Sequence, residues 1–385
     1  MKAGIVGLGF RLGYLARIFA ETVPDFRIAG FVDPEPAGRG YAEEHGVSVG
    51  TQYQSLAELL DRESLDLLMV GSPNHLHLDH IRAGLERGLK IFAEKPVVTS
   101  VSDTMELAKL IGEHGSDSIM VGLVLRYAPL YADLRKAMSD GMIGDIVSIE
   151  ASEHIAPYHG AFFMRDWRRY EKYSGSFMLE KCCHDLDLYN GVMGCRAMRV
   201  ASFGGRKSFV PANAPQNFGS NDTETYHRKP SGWLGSDKVF DSDGDIIDFQ
   251  TAIIEYAHGG SMAFHTNLNV PDQFRRFCVM GAKGMAEGDF VRNFFRVHDA
   301  RTSASLVDKT YEFSGVSEHY GADEEMARDI HGHMAEGRPL PVSVVDALEA
   351  GLVAISLDEA RRTKSVVEMA PIWAQFDASL LRNAS

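Results

Sequence analysis

The feature that most constrains this chain is its start: Ala3-Gly4-Ile5-Val6 runs into Gly7-Leu8-Gly9-Phe10-Arg11-Leu12-Gly13 and then a helical pattern over residues 14–21. A short apolar strand, a glycine turn and a helix in succession form the context in which a dinucleotide's pyrophosphate is held. Gly7 permits the tight turn, and Gly9 lets the backbone approach a pyrophosphate at the positive end of the helix. The pattern is incomplete. A third glycine is due at Leu12, and Gly13 stands one residue late, where it can supply the close helix–strand contact instead. The next strand, residues 27–32, ends at Asp33-Pro34. Asp33 lies about 20 residues beyond the turn, where a carboxylate can accept the ribose hydroxyls of NAD and would repel the extra phosphate of NADP. The plainer reading of Asp33 is a turn residue ahead of proline.

Further strand–helix units follow. Residues 55–61 read as a helix, and 67–70 as a strand ending in Gly71-Ser72-Pro73-Asn74-His75-Leu76-His77. Residues 78–87 have helical spacing, and an apolar strand then closes in Glu94-Lys95-Pro96. Pro96 offers no backbone donor and biases Lys95 toward an extended conformation, so the strand stops there. Lys95 then projects from the carboxyl end of a strand, where ligands bind in open α/β sheets. A solvated surface lysine is the alternative. Ser100-Val101-Ser102-Asp103 reads as a capped helix start, and residues 119–124 as one more strand. The expected first domain, residues 1–125, is therefore a doubly wound parallel sheet binding NAD, with NADP possible.

At 385 residues the chain is long enough for two domains. Residues 126–385 are expected to form an α+β domain with a large, mostly antiparallel open sheet and helices on one face. Its strands are read at residues 146–152, 246–256, 260–267 and 276–281. The net charge of −14 argues against a nucleic-acid partner, because that binding relies on neutralising phosphates with Lys and Arg. It leaves room for one anionic cofactor held by local backbone donors. Cys182, Cys183, Cys195 and Cys278 give neither a paired zinc spacing nor a disulfide framework. No apolar run approaches membrane-spanning length, and Met1-Lys2 leads directly into a strand, so a soluble cytoplasmic protein is expected.

These motifs in this order resemble the Gfo/Idh/MocA oxidoreductases, the relatives of glucose-fructose oxidoreductase and inositol dehydrogenase. The residues carrying the resemblance are the glycine turn, Ser72-Pro73-Asn74-His75-x-His77, Glu94-Lys95-Pro96, Arg126-Tyr127-x-Pro129 and Gly141-x-Ile143-Gly144. The resemblance implies that Pro73, Asn74, His77 and Glu94 lie along the bound nicotinamide dinucleotide, and that Lys95 is the catalytic-site lysine. The cofactor set read from turn and resemblance together is Gly7, Gly9, Phe10, Arg11, Leu12, Asp33, Ser72, Pro73, Asn74, His77, Glu94, Lys95 and Arg126.

In the second half, His154, Tyr158, His159, Arg165, Asp166, Trp167, Arg168 and Arg169 crowd together. Such a cluster can be a solvated face or a contact between subunits. The resemblance sets it beside nicotinamide and substrate, with His154, Arg165, Trp167 and Arg168 as substrate contacts. Residues 174–187 follow; on a helix Glu180, His184 and Asp187 share one face. A metal site is weighed and set aside, since adjacent cysteines cannot easily point at one ion. A core histidine satisfied by a carboxylate is the other alternative. The family pattern is Asp-x-Gly-x-His-x-x-Asp; His184 and Asp187 match it, while Glu180 replaces Asp and Cys182 replaces Gly. Residues 211–245 are polar and aperiodic, which reads as a lid or an intersubunit arm. The run Glu318-His319-Tyr320-Gly321-Ala322-Asp323 resembles the family's late His-Gly segment at the pocket rim and makes His319 a substrate contact.

The expected activity is hydride transfer on a sugar, inositol or related polyol, in a homo-oligomer (dimer or tetramer) formed through the carboxy-terminal sheet. Lys95, His184 and Glu180 are the expected catalytic set, with His184 as proton acceptor, Lys95 orienting the hydroxyl and Glu180 in support. Two alternatives remain at this level: an NAD-dependent glycoside hydrolase with no net redox change, and a non-catalytic nucleotide sensor.

Overall fold

A computed structural model describes residues 1–217, 219–312 and 319–381. They fall into two compact units: residues 1–128 with 319–351 and 372–381, and residues 129–217 and 219–312 with 352–371. The first break falls at Ala128/Pro129. Residues 319–351 and 372–381 belong with the first unit, whereas the expected division is a single cut between residues 125 and 126.

The first unit runs β1 (Lys2–Val6), α1 (Phe10–Thr22), β2 (Arg27–Val32), α2 (Arg39–Glu44), β3 (Thr51–Gln52), α3 (Leu56–Arg62), β4 (Leu67–Val70), α4 (His77–Glu86), β5 (Lys90–Ala93), α5 (Val101–His114) and β6 (Ile119–Val121). Its six strands lie in the order β3-β2-β1-β4-β5-β6, all parallel. That order reverses between β1 and β4, and ligands bind at such a switch, outside the carboxyl ends of the strands. β4 is buried at every residue, the pattern of a strand covered on both faces. The expected cap of α5 is present: the Ser100 hydroxyl accepts the Asp103 amide at 3.1 Å.

The second unit begins with α6 (Pro129–Ser139), β7 (Ile146–His154), α7 (Pro157–Arg165), α8 (Glu171–Ser174), α9 (Phe177–Met193), β8 (Ala197–Gly205) and α10 (Ser220–His227). It continues with β9 (Phe249–Tyr256), β10 (Ser261–Asn267), β11 (Phe274–Gly281), β12 (Gly284–Asp289), β13 (Phe294–Asp299) and β14 (Ser305–Thr310). Helix α11 (Ala322–Glu336) belongs to the first unit, α12 (Val344–Thr363) is shared between the two, and β15 (Val367–Glu368) and α13 (Ala370–Leu381) follow. The nine-stranded sheet has the order β14-β13-β12-β11-β7-β10-β9-β8-β15 and is antiparallel except for the β7–β10 pair. β9 and β10 alternate buried and exposed residues, so one face of the sheet is packed and the other open. The packed face includes Glu153, Thr266 and Arg275, and α9 lies on it through the Lys181–Glu153 ion pair at 2.9 Å.

Candidate active site

Because the six strands are parallel, the turns after β1, β2, β4, β5 and β6 emerge on one edge. Gly7 takes a φ of 84°, and a Cβ there would lie 2.2 Å from the Ser72 amide nitrogen, so the turns after β1 and β4 abut. A Cβ built on Gly9 meets nothing within 4 Å. Gly9 caps α1 without a side chain, and Phe10 beside it is 51% exposed. Open space over an uncapped helix start suits the pyrophosphate of a dinucleotide. Asp33 completes the fit: its carboxylate accepts the amide of Glu35 at 2.8 Å and that of Leu8, which fixes it against the glycine turn. Burial raises the pKa of Asp33, and those two amides oppose the rise.

The departure at Leu12 is accommodated from outside the helix. Leu12 is buried, and a Cβ on Gly71 would come within 2.5 Å of its Cγ, so glycine is needed after β4 instead. Gly13 does provide a close approach, but not to a strand. A Cβ there would lie 2.4 Å from the Gly38 carbonyl oxygen, in the turn between β2 and α2, and a Cβ on Gly38 would lie 2.2 Å from that of Gly9.

Around Lys95, which follows β5 and precedes a cis peptide to Pro96, the neighbours are ordered by carboxylates. Glu94 is buried; one oxygen accepts the Arg11 Nε at 3.0 Å and the other the Lys95 amide at 3.2 Å. Its carboxylate lies over Gly122, where a Cβ would come within 3.0 Å. Ser72, Pro73 and Asn74 form the turn after β4. His77 is a strut behind that turn, with Nε2 at 2.8 Å from the Ser72 carbonyl and Nδ1 at 2.9 Å from that of Pro96. It is 1% exposed, so it joins two loops and presents little surface to a ligand. Arg126 stands half-buried in a 3-10 turn after β6.

His319 also lies in the first unit. Its Nδ1 is 3.0 Å from Asp323, the buried acid in the first turn of α11, and Arg11 Nη2 meets the same carboxylate at 2.7 Å. Asp323 was absent from the expected set, although an acid in the first turn of a helix is a readable signal. Glu318 lies outside the described residues.

In the second unit Glu180, His184 and Asp187 all lie on α9 and are all buried. Ser176 caps this helix, accepting the Leu179 amide at 3.1 Å, and Gly194 ends it in the left-handed region. Arg168 donates to Glu180 at 2.8 Å and to Asp166 at 2.7 Å, with its guanidinium 4.3 Å from the Trp167 ring centre. Burial opposes that guanidinium's charge; Asp166 and Glu180 outweigh it and raise its pKa. The longer arm of Glu180 thus reaches an arginine. A second set, not foreseen, keys the helix to the sheet: Arg275 grips Asp185 at 2.8 and 2.6 Å, and Glu153 bridges Arg275 and Lys181 at 2.9 Å each. These anchors fix the rotation of α9 about its axis and with it the face that carries His184.

Two of the expected substrate contacts, His154 and Arg165, have protein partners. Glu153 faces α9, so strand alternation turns His154 to the opposite, open face. There its Nδ1 meets the Asn267 amide at 3.2 Å, and its ring packs edge-on against His265 and Phe274. Burial lowers the pKa of His154 to about 4, and the neighbouring His265 adds to the shift. Arg165, 3% exposed, donates to the Lys229 carbonyl. It faces residues 211–245, whose described part is a strap. Arg206 binds the carbonyls of Ser242, Gly244 and Ile246 near the strap's end. Gly232 donates to Asp166 at 3.1 Å, and the Leu234 carbonyl receives Arg169 at 2.6 Å.

Among the described residues no three His, Cys, Asp or Glu side chains gather as metal ligands, and no helix is long and apolar enough to cross a membrane.

A parallel six-stranded sheet with a glycine turn at its switch point, followed by an open nine-stranded sheet, defines a dinucleotide-binding α/β protein with an appended α+β domain. The chain belongs to the GFO_IDH_MocA family: residues 1–123 match its NAD-binding Rossmann fold and residues 135–369 its C-terminal alpha/beta domain. It is accordingly an NAD-dependent oxidoreductase. It is 29% identical to 2,7-anhydro-N-acetylneuraminate hydratase of Mediterraneibacter gnavus, over 57% of this chain and 55% of that protein. It is 27% identical to scyllo-inositol 2-dehydrogenase (NAD(+)) of Bacillus subtilis, over 53% of this chain and 57% of that one. Each of these matches spans little more than half of the relative. The solved structure of levoglucosan dehydrogenase in complex with NADH has a similar fold, with a TM-score of 0.76 at 17% identity over 96% of this chain and 98% of that one.

Proposed function

We propose that the chain is a dehydrogenase of a sugar, inositol or related polyol, acting on a CH–OH group. The observation that carries this reading is Lys95 at the carboxyl edge of the parallel sheet, its amide fixed by Glu94, in a chain whose α9 aligns Glu180, His184 and Asp187. Gly7, Gly9, Phe10, Asp33 and the 72–74 turn would hold the dinucleotide. When bound, the nicotinamide exchanges the hydride. Lys95 orients the reacting hydroxyl through its ammonium, and His184 accepts the hydroxyl proton as the C–H hydride leaves. Glu180, held ion-paired by Arg168, supports the charge that His184 acquires.

The substrate class draws on relatives named for inositol and levoglucosan dehydrogenation. A second reading, sugar chemistry with no net redox change, is favoured by the relative named a hydratase. Purified protein with NAD and a panel of free sugars and polyols separates the two: steady NADH absorbance supports the dehydrogenase, and product formation without net NADH supports the second. Lys95→Ala and His184→Ala should each lower turnover by roughly 10²–10⁴-fold, the range for a positioned acid or base. The double variant should lose far less than the product of those factors, because groups acting as a unit are non-additive. Near-normal turnover in His184→Ala would return that histidine to a packing role.

We further infer self-association through the open face of the nine-stranded sheet, where Phe203 is 72% and Ile253 56% exposed. Ile253→Glu should then lower the mass in solution; an unchanged mass would remove this inference.

A further inference from the structure

Arg11 connects three parts of the first unit that are far apart in sequence. Its Nε meets Glu94 at 3.0 Å and its Nη2 meets Asp323 at 2.7 Å, with both carboxylates buried. Glu94 in turn accepts the amide of Lys95 at 3.2 Å. An arginine in the first turn of a dinucleotide-binding helix would ordinarily be a free phosphate ligand. Here its charge is matched by two carboxylates, and its planar fork is held by bonds along two edges.

The His319 contacts place a proton on Nδ1. Nδ1 lies 3.0 Å from Asp323 and 3.4 Å from Arg11 Nη1, and a ring nitrogen cannot donate to one and accept from the other at once. The shorter, charge-assisted contact prevails, so Nδ1–H donates to Asp323. Asp323 therefore receives a proton donor on each oxygen. Its burial opposes ionisation, yet Arg11 and His319 outweigh that and hold its pKa below the carboxylate range. The turn that presents His319 is itself constrained, with Tyr320 at φ 57° and Gly321 at φ 80° ahead of α11.

We propose that Asp323 is a positioning residue for the Lys95 end of the site, acting through Arg11 and Glu94 on the Lys95 backbone. Asp323 sets Arg11, Arg11 sets the plane of the Glu94 carboxylate over Gly122, and Glu94 pins the Lys95 amide. The catalytic consequence rests on the reading of Lys95 above; the structural linkage does not.

The test therefore has two arms. In the first, hydrogen exchange of the Lys95 amide is followed by NMR in cofactor-free protein. Asp323→Asn should speed exchange there several-fold, Arg11→Gln should do the same, and the double variant should match either single one. In the second arm, Asp323→Asn should lower kcat about tenfold with a smaller change in KM, and Asp323→Glu should recover part of the loss. If Asp323→Asn does not fold, Arg11→Lys keeps the charge but cannot span both acids, and should reproduce the exchange effect. Unchanged Lys95 exchange in a folded variant, or independent effects in the double one, would overturn the inference. Full turnover by Lys95→Ala with the exchange coupling intact would overturn only the catalytic reading of Lys95 and would support the linkage.

Discussion

Leu12 and Gly71 compete for one volume: a Cβ on Gly71 would stand 2.5 Å from Cγ of Leu12 and 2.6 Å from its Cδ1. The glycine missing from the helix is thus compensated by one after β4. Gly71→Ala should destabilise the first unit by roughly 1–3 kcal/mol, the usual cost of overpacking, and weaken NAD binding with it. Leu12→Ala should restore both in the Gly71→Ala background, because it empties the contested space. Melting curves and NAD titrations of the parent and the two variants test this. A double variant no better than Gly71→Ala would show that the two side chains do not compete.

Cofactor preference follows from the fixed carboxylate of Asp33. Held by the Leu8 and Glu35 amides, it cannot turn away from an incoming 2′-phosphate. Calorimetric titration should find NAD bound more tightly than NADP. Asp33→Ser should narrow the gap mainly by improving NADP. Equal affinity for both in the parent protein would contradict this account.

Much of this was legible from short-range pattern. The alternation of strands and helices, the acid after β2 and the shared face of Glu180, His184 and Asp187 all depend on spacing within one or two elements. What escaped was long-range. Spacing indicated a close approach at Gly13 but could not name Gly38 as its partner. Nothing local announces that residues 319–351 return to the first unit, so Asp323 could not be joined to Arg11. The placement of His154 is different: alternation from Ile149 and Ala151 on the packed face puts it on the other side of β7.

Acid should destabilise the fold through two histidines. Burial lowers the pKa of His80 to about 4, and that of His154 to about 4, from an ordinary 6.5. Between those values the unfolded chain binds more protons than the folded one, so stability rises with pH through that window. The contribution is complete above about pH 6.5 and is lost as pH falls toward 4. The melting temperature should fall by several degrees between about pH 7 and about pH 5, and by less in a His80→Asn/His154→Asn variant. Parallel pH profiles for parent and variant would assign acid sensitivity to other groups.

Asp166 faces two ways. One oxygen accepts the Arg168 amide and guanidinium, and the other accepts Gly232 of the strap. Arg168 continues to Glu180 on α9, so the strap is linked to the helix carrying His184 through a single carboxylate. Asp166→Asn leaves a weaker acceptor for Arg168 and for Gly232. The variant should be cut faster by protease within residues 211–245 and should turn over substrate about tenfold more slowly, with KM raised. Asp243→Asn is the contrast. Asp243 is 59% exposed and binds Arg169, so its loss loosens the strap without touching Arg168. That variant should be cut faster yet keep a turnover near the parent's. If both variants lose turnover equally, strap order alone sets the rate; if Asp166→Asn is cut faster but turns over normally, the carboxylate serves only to hold the strap.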